Sequence, residues 1–429
     1  MMFINTKDEK FTSSFNELLL RGKMDIDEVS SVVGTLLNEI KTDKNKALKE
    51  HITKFDNWTP KTDEDFKISQ ESMSKAYNSI DAKLKSALHL AYDRIKIYHE
   101  KQKPKSWFDT EENGTILGQK TTPVDSAGLY IPGGKAAYPS SLLMNVIPAQ
   151  VAGVEKIIIC TPAPKNEVNE LLLAACHLCG VSEVYKVGGA SAIGAMAYGT
   201  QSIPKVDVIT GPGNIFVATA KKMVYGDVNI DMIAGPSEIG ILADDSANAS
   251  HLAVDLLSQA EHDEMASSIL ITPCQKLADA VVIEIEIWLK KLPREKIARK
   301  SIEDRGAIIV TKDMDEAIKL MNEIAPEHLE IATDNAFEFL PFIKHAGAIF
   351  LGHNTPEAIG DYVAGPNHTL PTGGTAKFFS PLGVENFMKK TSIISFSKKG
   401  INEIGEACAL IANTEGLTAH EQSVRVRLT

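Results

Sequence analysis

The sequence has no apolar run approaching the about 18 residues that a membrane-spanning helix needs, so a soluble chain with no membrane partner is expected. Its start, MMFINTKDEK, lacks a basic stretch followed by an apolar one, so a cytoplasmic setting is expected. Cysteine is scarce and odd in number: Cys160, Cys176, Cys179, Cys274 and Cys408 give no disulfide framework. Cys176 and Cys179 have the spacing of a zinc or redox pair, but NELLLAACHLCG is an apolar helix pattern with no second cysteine pair to close a tetrahedral site. They are expected to be buried structural thiols. There is no basic excess either, since 45 Lys and Arg stand against 56 Asp and Glu for a net charge of −11. With both signs interspersed there is no footprint for nucleic acid, and a small-molecule partner is favoured. No sequence repeat and no low-complexity stretch is visible, which excludes a solenoid.

What is present is enough chain for two or more domains: 429 residues exceed the roughly 250 to 300 at which one core stops growing. The first quarter reads as helical. Ile80, Leu84, Leu88, Ala91, Ile95 and Tyr98 recur at three- and four-residue steps, and Pro104 ends the pattern, so the apolar face must pack on something downstream. From about residue 124, short apolar runs (SAGLYIP, KIIICTP, EVYKVGG, VDVITG, IDMIAG) alternate with helical segments, which implies a parallel sheet wound in βαβ units. SSILITP, GAIIVTK, LEIATD and AGAIFLG form a second such series. Beyond Gly365 the chain turns irregular, then ends in a helical tail whose Glu415 and His420 bracket GLTA, a place suited to a reaching arm or a subunit contact.

Three strands run into glycine turns, at Gly133-Gly134, Gly188-Gly189 and Gly211-Pro212-Gly213-Asn214. Such turns gather backbone N–H groups for a phosphate, although glycine is as readily there for turn geometry, and GxGxxG itself is absent. Gln259 and His262 sit three apart on one probable helix face and could share a cation, though a solvated face is the commoner meaning of that spacing. Glu327-His328 pairs a carboxylate with an imidazole between a helix and a strand, the equipment of two-proton chemistry. Asp361 and His368 lie in GDYVAGPNHTLPTGG, either a structured site loop or an Asx-type turn with an exposed histidine.

Taken in order, GLYIPGGKAAYPSSLLMNVIPAQVAGV, TGPGNIFVATAKK, DMIAGPSEIG, DLLSQAEHD, APEHLEI, GDYVAGPNHTLPTGG and LTAH resemble the histidinol dehydrogenase family, from about residue 120 to the end. The resemblance implies an α/β fold with two Rossmann-like parallel-sheet domains lacking GxGxxG, small helical terminal segments and an intertwined homodimer. By that likeness residues 1–27 pack with the C-terminal tail, 28–128 plus 238–380 form the first domain, 129–237 bind NAD, and 381–429 form a dimerisation tail. The family's zinc ligands fall on Gln259, His262, Asp361 and His420, the last from the partner subunit, with one Zn2+ per subunit. Glu327 and His328 match the catalytic pair. Ser237, His368 and Glu415, together with Gln259, His262, His328, Asp361 and His420, match positions that contact L-histidinol. Tyr130 and Asn214 match NAD contacts, and Ser191 stands where many members have a longer glutamine.

The implied reaction passes from L-histidinol through histidinaldehyde to L-histidine with two NAD. Three other readings compete: a related zinc and NAD alcohol dehydrogenase acting on another amino alcohol or polyol, a zinc hydrolase using Glu327, and a two-lobed solute-binding protein. The hydrolase leaves the glycine loops without a task, and the binding protein wants a secretory leader.

Overall fold

The computed structural model describes residues 1–20, 26–133 and 139–428. Two parallel sheets dominate. The larger has six strands in the spatial order Met2–Asn5, Ala307–Val310, Ser267–Thr272, Glu238–Ala243, His328–Ala332 and Ala348–Leu351. Its central strands SSILIT, EIGILA and HLEIA are buried at every position, as expected where helices cover both faces. The smaller has five, in the order Glu183–Lys186, Lys156–Thr161, Ser126–Tyr130, Val208–Thr210 and Asn229–Ile230.

The expected grouping of 28–128 with 238–380 is corrected by the packing. Val33, Leu37, Ile40 and Leu48, from helices Ile26–Asp43 and Asn45–Phe55, share a core with Ile158, Ile209 and Ala192 of the five-stranded unit. Leu88, Ala91 and Ile95 of helix Ala82–Glu100 pack with Leu129 and Ile159 on the opposite face. Strand side chains alternate between faces, so the first hundred residues supply helices to both sides of the smaller sheet. The periodic face read from Ile80 onward therefore finds its partner there.

The N-terminus also differs from the helical segment expected for 1–27. Met2–Asn5 is an edge strand paired in parallel with Ala307–Val310, and Ile4, Phe15 and Leu18 enter the core of the six-stranded sheet. A four-residue apolar start is too short to show periodicity, and the sheet edge decides it. A third, antiparallel sheet of Met388–Ser395, Ile116–Pro123 and Trp107–Thr110 was not legible, because its strands are largely exposed and polar. Among the described residues no helix is long and apolar enough to cross a membrane. Cys176 and Cys179 are buried, and burial pushes their thiols well above the ordinary range, in line with inert core residues.

Candidate metal centre and cofactor cavity

In the six-stranded sheet the chemistry gathers at the amino ends of the strands. Pairing of His328 with Ile239 sets Glu327 beside Glu238, whose backbone N–H donates to Glu327 Oε2 at 2.9 Å. His328 Nδ1 lies 3.1 Å from the Glu238 carbonyl oxygen, which can only accept, so Nδ1 carries the hydrogen. In the neutral ring Nε2 is then the basic nitrogen. Among the described residues it is buried without a hydrogen-bond partner, 3.3 Å from Asp361 Oδ1 but not aligned with it. Ser237 immediately precedes this strand edge, and its carbonyl accepts the Ser267 N–H at 2.9 Å.

Asp361 is carried by a π-helical turn, Gly360–Ala364, following the short helix Glu357–Ile359; such turns frequently mark functional sites. Its backbone carbonyl accepts His368 Nδ1–H at 2.9 Å, and His368 Nε2 is 3.3 Å from Ser141 Oγ. Gln259, fully buried near the end of helix Ala249–Ala260, has its amide turned so that N faces His262 Nδ1 at 3.4 Å. Rotating that amide satisfies it: the N–H group then donates to Glu357 Oε1 and Oε2 at 2.5 and 3.1 Å, and the carbonyl oxygen turns toward His262.

The electrostatics follow from burial. It pushes Glu238 and Glu357 up to about 7 and Glu327 up to about 8. Burial alone would lower His328, but Glu357, Glu327 and Asp361 outweigh it and hold the imidazole well above its ordinary value. Burial would raise Asp361, yet His328, His368 and His262 around it keep the carboxyl below its usual range. His262 and His368 are lowered, first by burial.

A carboxylate that stays ionised, a neutral imidazole and an amide oxygen suit a borderline divalent cation such as zinc. Ligating atoms of His328, Glu357 and Asp361 also lie within 4.8 Å of one another. Glu357 and Glu238 were missed by sequence reading. Glu357 stands four residues before Asp361 in PEAIGD, a helical spacing that could have drawn notice. The chain does not bring every expected residue together. Glu415 and His420 line a cleft whose other walls, including Ile411 and Val424, all belong to the C-terminal tail.

Tyr130, Ser191 and Asn214 do meet, in a cavity of about 470 Å³ at the carboxyl ends of the five-stranded sheet, where open α/β sheets bind ligands. Tyr130 Oη accepts Gly189 N–H at 3.2 Å, and burial pushes the phenol up to about 12, so its own hydrogen remains to donate. Asn214 Oδ1 caps helix Ile215–Val224 by accepting from Phe216 and Val217 N–H at 3.1 and 3.2 Å, which leaves its amide N–H free as a donor. At Gly211, with φ at 118°, an added Cβ would lie 2.0 Å from the Tyr130 carbonyl, so only glycine fits. A buried Lys221–Asp231 ion pair grips the same peptide: Lys221 Nζ donates to Gly211 O at 3.0 Å, and Gly211 N–H donates to Asp231 Oδ2 at 2.9 Å. Donors at a helix N-terminus and on two side chains suit the phosphates of a dinucleotide. Gly134, the second glycine of the first predicted turn, lies outside the described residues.

The family model described as histidinol dehydrogenase matches residues 19–428. The chain is 81% identical to the histidinol dehydrogenase of Sulfurimonas denitrificans over 428 residues, covering 100% of both chains. It is 66% identical to that of Wolinella succinogenes, covering 99% of this chain and 98% of the relative. The crystal structure of histidinol dehydrogenase from Elizabethkingia anophelis superposes with a TM-score of 0.94 at 36% identity, covering 100% of this chain and 98% of that one. The match runs over nearly the whole chain in sequence and in structure, and the chain belongs to the histidinol dehydrogenase family.

Proposed function

We propose that the chain oxidises L-histidinol through histidinaldehyde to L-histidine with two NAD, in the cytoplasm, as a homodimer. The observation that carries this reading is the His328 imidazole, pinned through Nδ1–H to the Glu238 carbonyl with Nε2 unpartnered beside Asp361. In the alcohol step Nε2 takes the hydroxyl proton while the carbon-bound hydrogen leaves as hydride to NAD. In the aldehyde step one Glu327 oxygen stays on Glu238 N–H while the carboxylate takes a proton from the attacking water, and His328 returns the proton it took in the first step to the carbonyl oxygen, giving the hydrate and a neutral imidazole. His328 then takes a hydroxyl proton of the hydrate as the second hydride departs.

Gln259, His262 and Asp361, with His420 of the partner subunit, would hold one zinc ion, and Glu357 anchors the Gln259 amide. When bound, the ion supplies one fixed orientation for the amine and imidazole nitrogens of the substrate. Ser237, His368 and the partner subunit's Glu415 complete the substrate contacts. Formation of two NADH per histidinol, abolished by chelation and restored by zinc, tests the reading. Histidinol left unoxidised by the zinc-loaded dimer overturns it.

A further inference from the structure

The cavity that gathers Tyr130, Ser191 and Asn214 has an outer wall made by the helical N-terminal segment: Val32, Leu36, His51, Ile52, Phe55 and Asp56. A continuous hydrogen-bonded chain runs through it. His51 is 5% exposed; its Nε2 lies 2.8 Å from Glu39 Oε2 and its Nδ1 lies 2.8 Å from Ser191 Oγ. A carboxylate only accepts, so Nε2 carries the hydrogen. In the neutral ring Nδ1 must then accept, and the Ser191 hydroxyl spends its hydrogen on His51. What Ser191 turns to the cavity is lone pairs.

Asp56 adds a second acceptor. It caps helix Asn45–Phe55, is 8% exposed, and among the described residues its carboxylate accepts one long bond, from Ala163 N–H at 3.4 Å. The apolar side chains of Val32, Leu36, Phe55 and Phe216 line the same cavity. Among the described lining residues there is no lysine or arginine. The acceptors of Asp56 and Ser191 thus share one cavity with the donors of Tyr130 and Asn214.

We propose that Glu39, His51, Ser191 and Asp56 form an acceptor-only face that recognises the adenosine ribose hydroxyls of the cofactor and selects NAD over its 2′-phosphorylated counterpart, NADP. Ribose hydroxyls donate to such a face. A 2′-phosphate brings only acceptors and negative charge toward the Asp56 carboxylate and meets no lysine or arginine among the described lining residues. Glu39 and His51 are positioning residues: they fix the polarity of Ser191 without needing to touch the cofactor. The short serine at 191 thus works with a histidine from the N-terminal helices behind it.

This inference rests on the reading that NAD occupies the cavity, and the experiment separates the two. With the zinc-loaded dimer, kcat and KM are measured with NAD and with NADP, and the Kd of each cofactor is read by titration calorimetry in the absence of histidinol, for wild type, Asn214→Ala, Ser191→Ala, His51→Leu, Glu39→Leu, Glu39→Gln and Asp56→Asn. Asn214→Ala tests the cavity, and an unchanged KM for NAD there overturns the cavity reading itself.

With that reading intact, Asp56→Asn is expected to cut the NAD to NADP ratio of kcat/KM by at least about tenfold. Ser191→Ala, His51→Leu and Glu39→Leu are expected to raise KM for NAD about fivefold to tenfold, with the loss falling on KM, not kcat. The Ser191→Ala/His51→Leu double variant is expected to lose no more than either single one. Glu39→Gln keeps an acceptor oxygen and restores most of the affinity. An unchanged cofactor ratio in Asp56→Asn, or equal loss in kcat across the Glu39 and His51 variants, overturns the proposal. Should His51→Leu not fold, the Glu39→Leu and Glu39→Gln pair decides.

Discussion

Glu327 Oε2 accepts the backbone N–H of Glu238 at 2.9 Å, so one carboxylate oxygen of the proposed catalytic pair is tied to the neighbouring strand. The other is left for a water. Glu327→Gln is therefore expected to slow aldehyde oxidation by about 10²- to 10⁴-fold and alcohol oxidation far less, while His328→Asn slows both. Supplying histidinol and histidinaldehyde separately measures the split. Equal losses on the two substrates in Glu327→Gln would sink this division of labour.

That strand-edge arrangement also explains what the sequence could and could not reveal. Glu327-His328 was visible as an acid–imidazole pair opening a strand, and the glycine turns were visible as the carboxyl ends of the smaller sheet. Glu238 was not, because its role comes from the register of His328 on Ile239, a pairing between segments about ninety residues apart. The helices of residues 26–100 were legible as helices, but an apolar face does not state which sheet it will cover. His51 and Ser191 are 140 positions apart, and nothing local links them. The exposed antiparallel strands left no hydrophobic pattern to read.

Glu357 supports the metal centre through Gln259. Rotated into its satisfied orientation, the Gln259 amide donates both to Glu357 Oε1 and to Glu357 Oε2, which aims the carbonyl oxygen toward His262. Glu357→Leu is expected to weaken zinc binding about 10- to 100-fold, the usual effect of removing a group that orients a ligand. Competition with a chromophoric chelator reads this directly. Wild-type affinity in the variant would show that Gln259 holds its orientation without Glu357.

Lys221 and Asp231 are a structural clamp on the Gly211 turn, with side chains 3% and 0% exposed. Lys221→Met leaves a buried carboxylate uncompensated and is expected to cost about 3–5 kcal/mol. Urea unfolding measures it. Adding Asp231→Asn to Lys221→Met is expected to recover part of the loss, since the stranded charge is gone; no recovery would mean that the damage lies in packing.

The tail cleft that holds Glu415 and His420 shares none of its walls with His328 or Asp361. If His420 completes a neighbour's site, mixing His420→Ala and His328→Asn subunits, each impaired in both oxidation steps, is expected to restore partial activity, because one of the two hybrid sites receives both intact residues. Activity recovered after verified subunit exchange is the readout. No recovery would place His420 within its own chain.

Burial raises Glu327 from an ordinary 4.5 to about 8, which has opposite consequences for catalysis and for stability. As base, Glu327 must be ionised, so aldehyde oxidation is expected to rise with pH up to and through about 8, and Glu327→Gln to lack that ascent. Folding holds the carboxyl protonated, so its contribution to stability is full below 4.5 and is lost as pH climbs toward about 8. The metal-free wild type is therefore expected to lose thermal stability relative to Glu327→Gln across that window, because the amide never ionises. Measuring the difference in Tm between the two proteins at each pH cancels the titration of the other groups. A difference that stays flat through the window would mean that Glu327 ionises as readily in the folded chain as in the unfolded one, and the rising limb of the rate profile would then need another base.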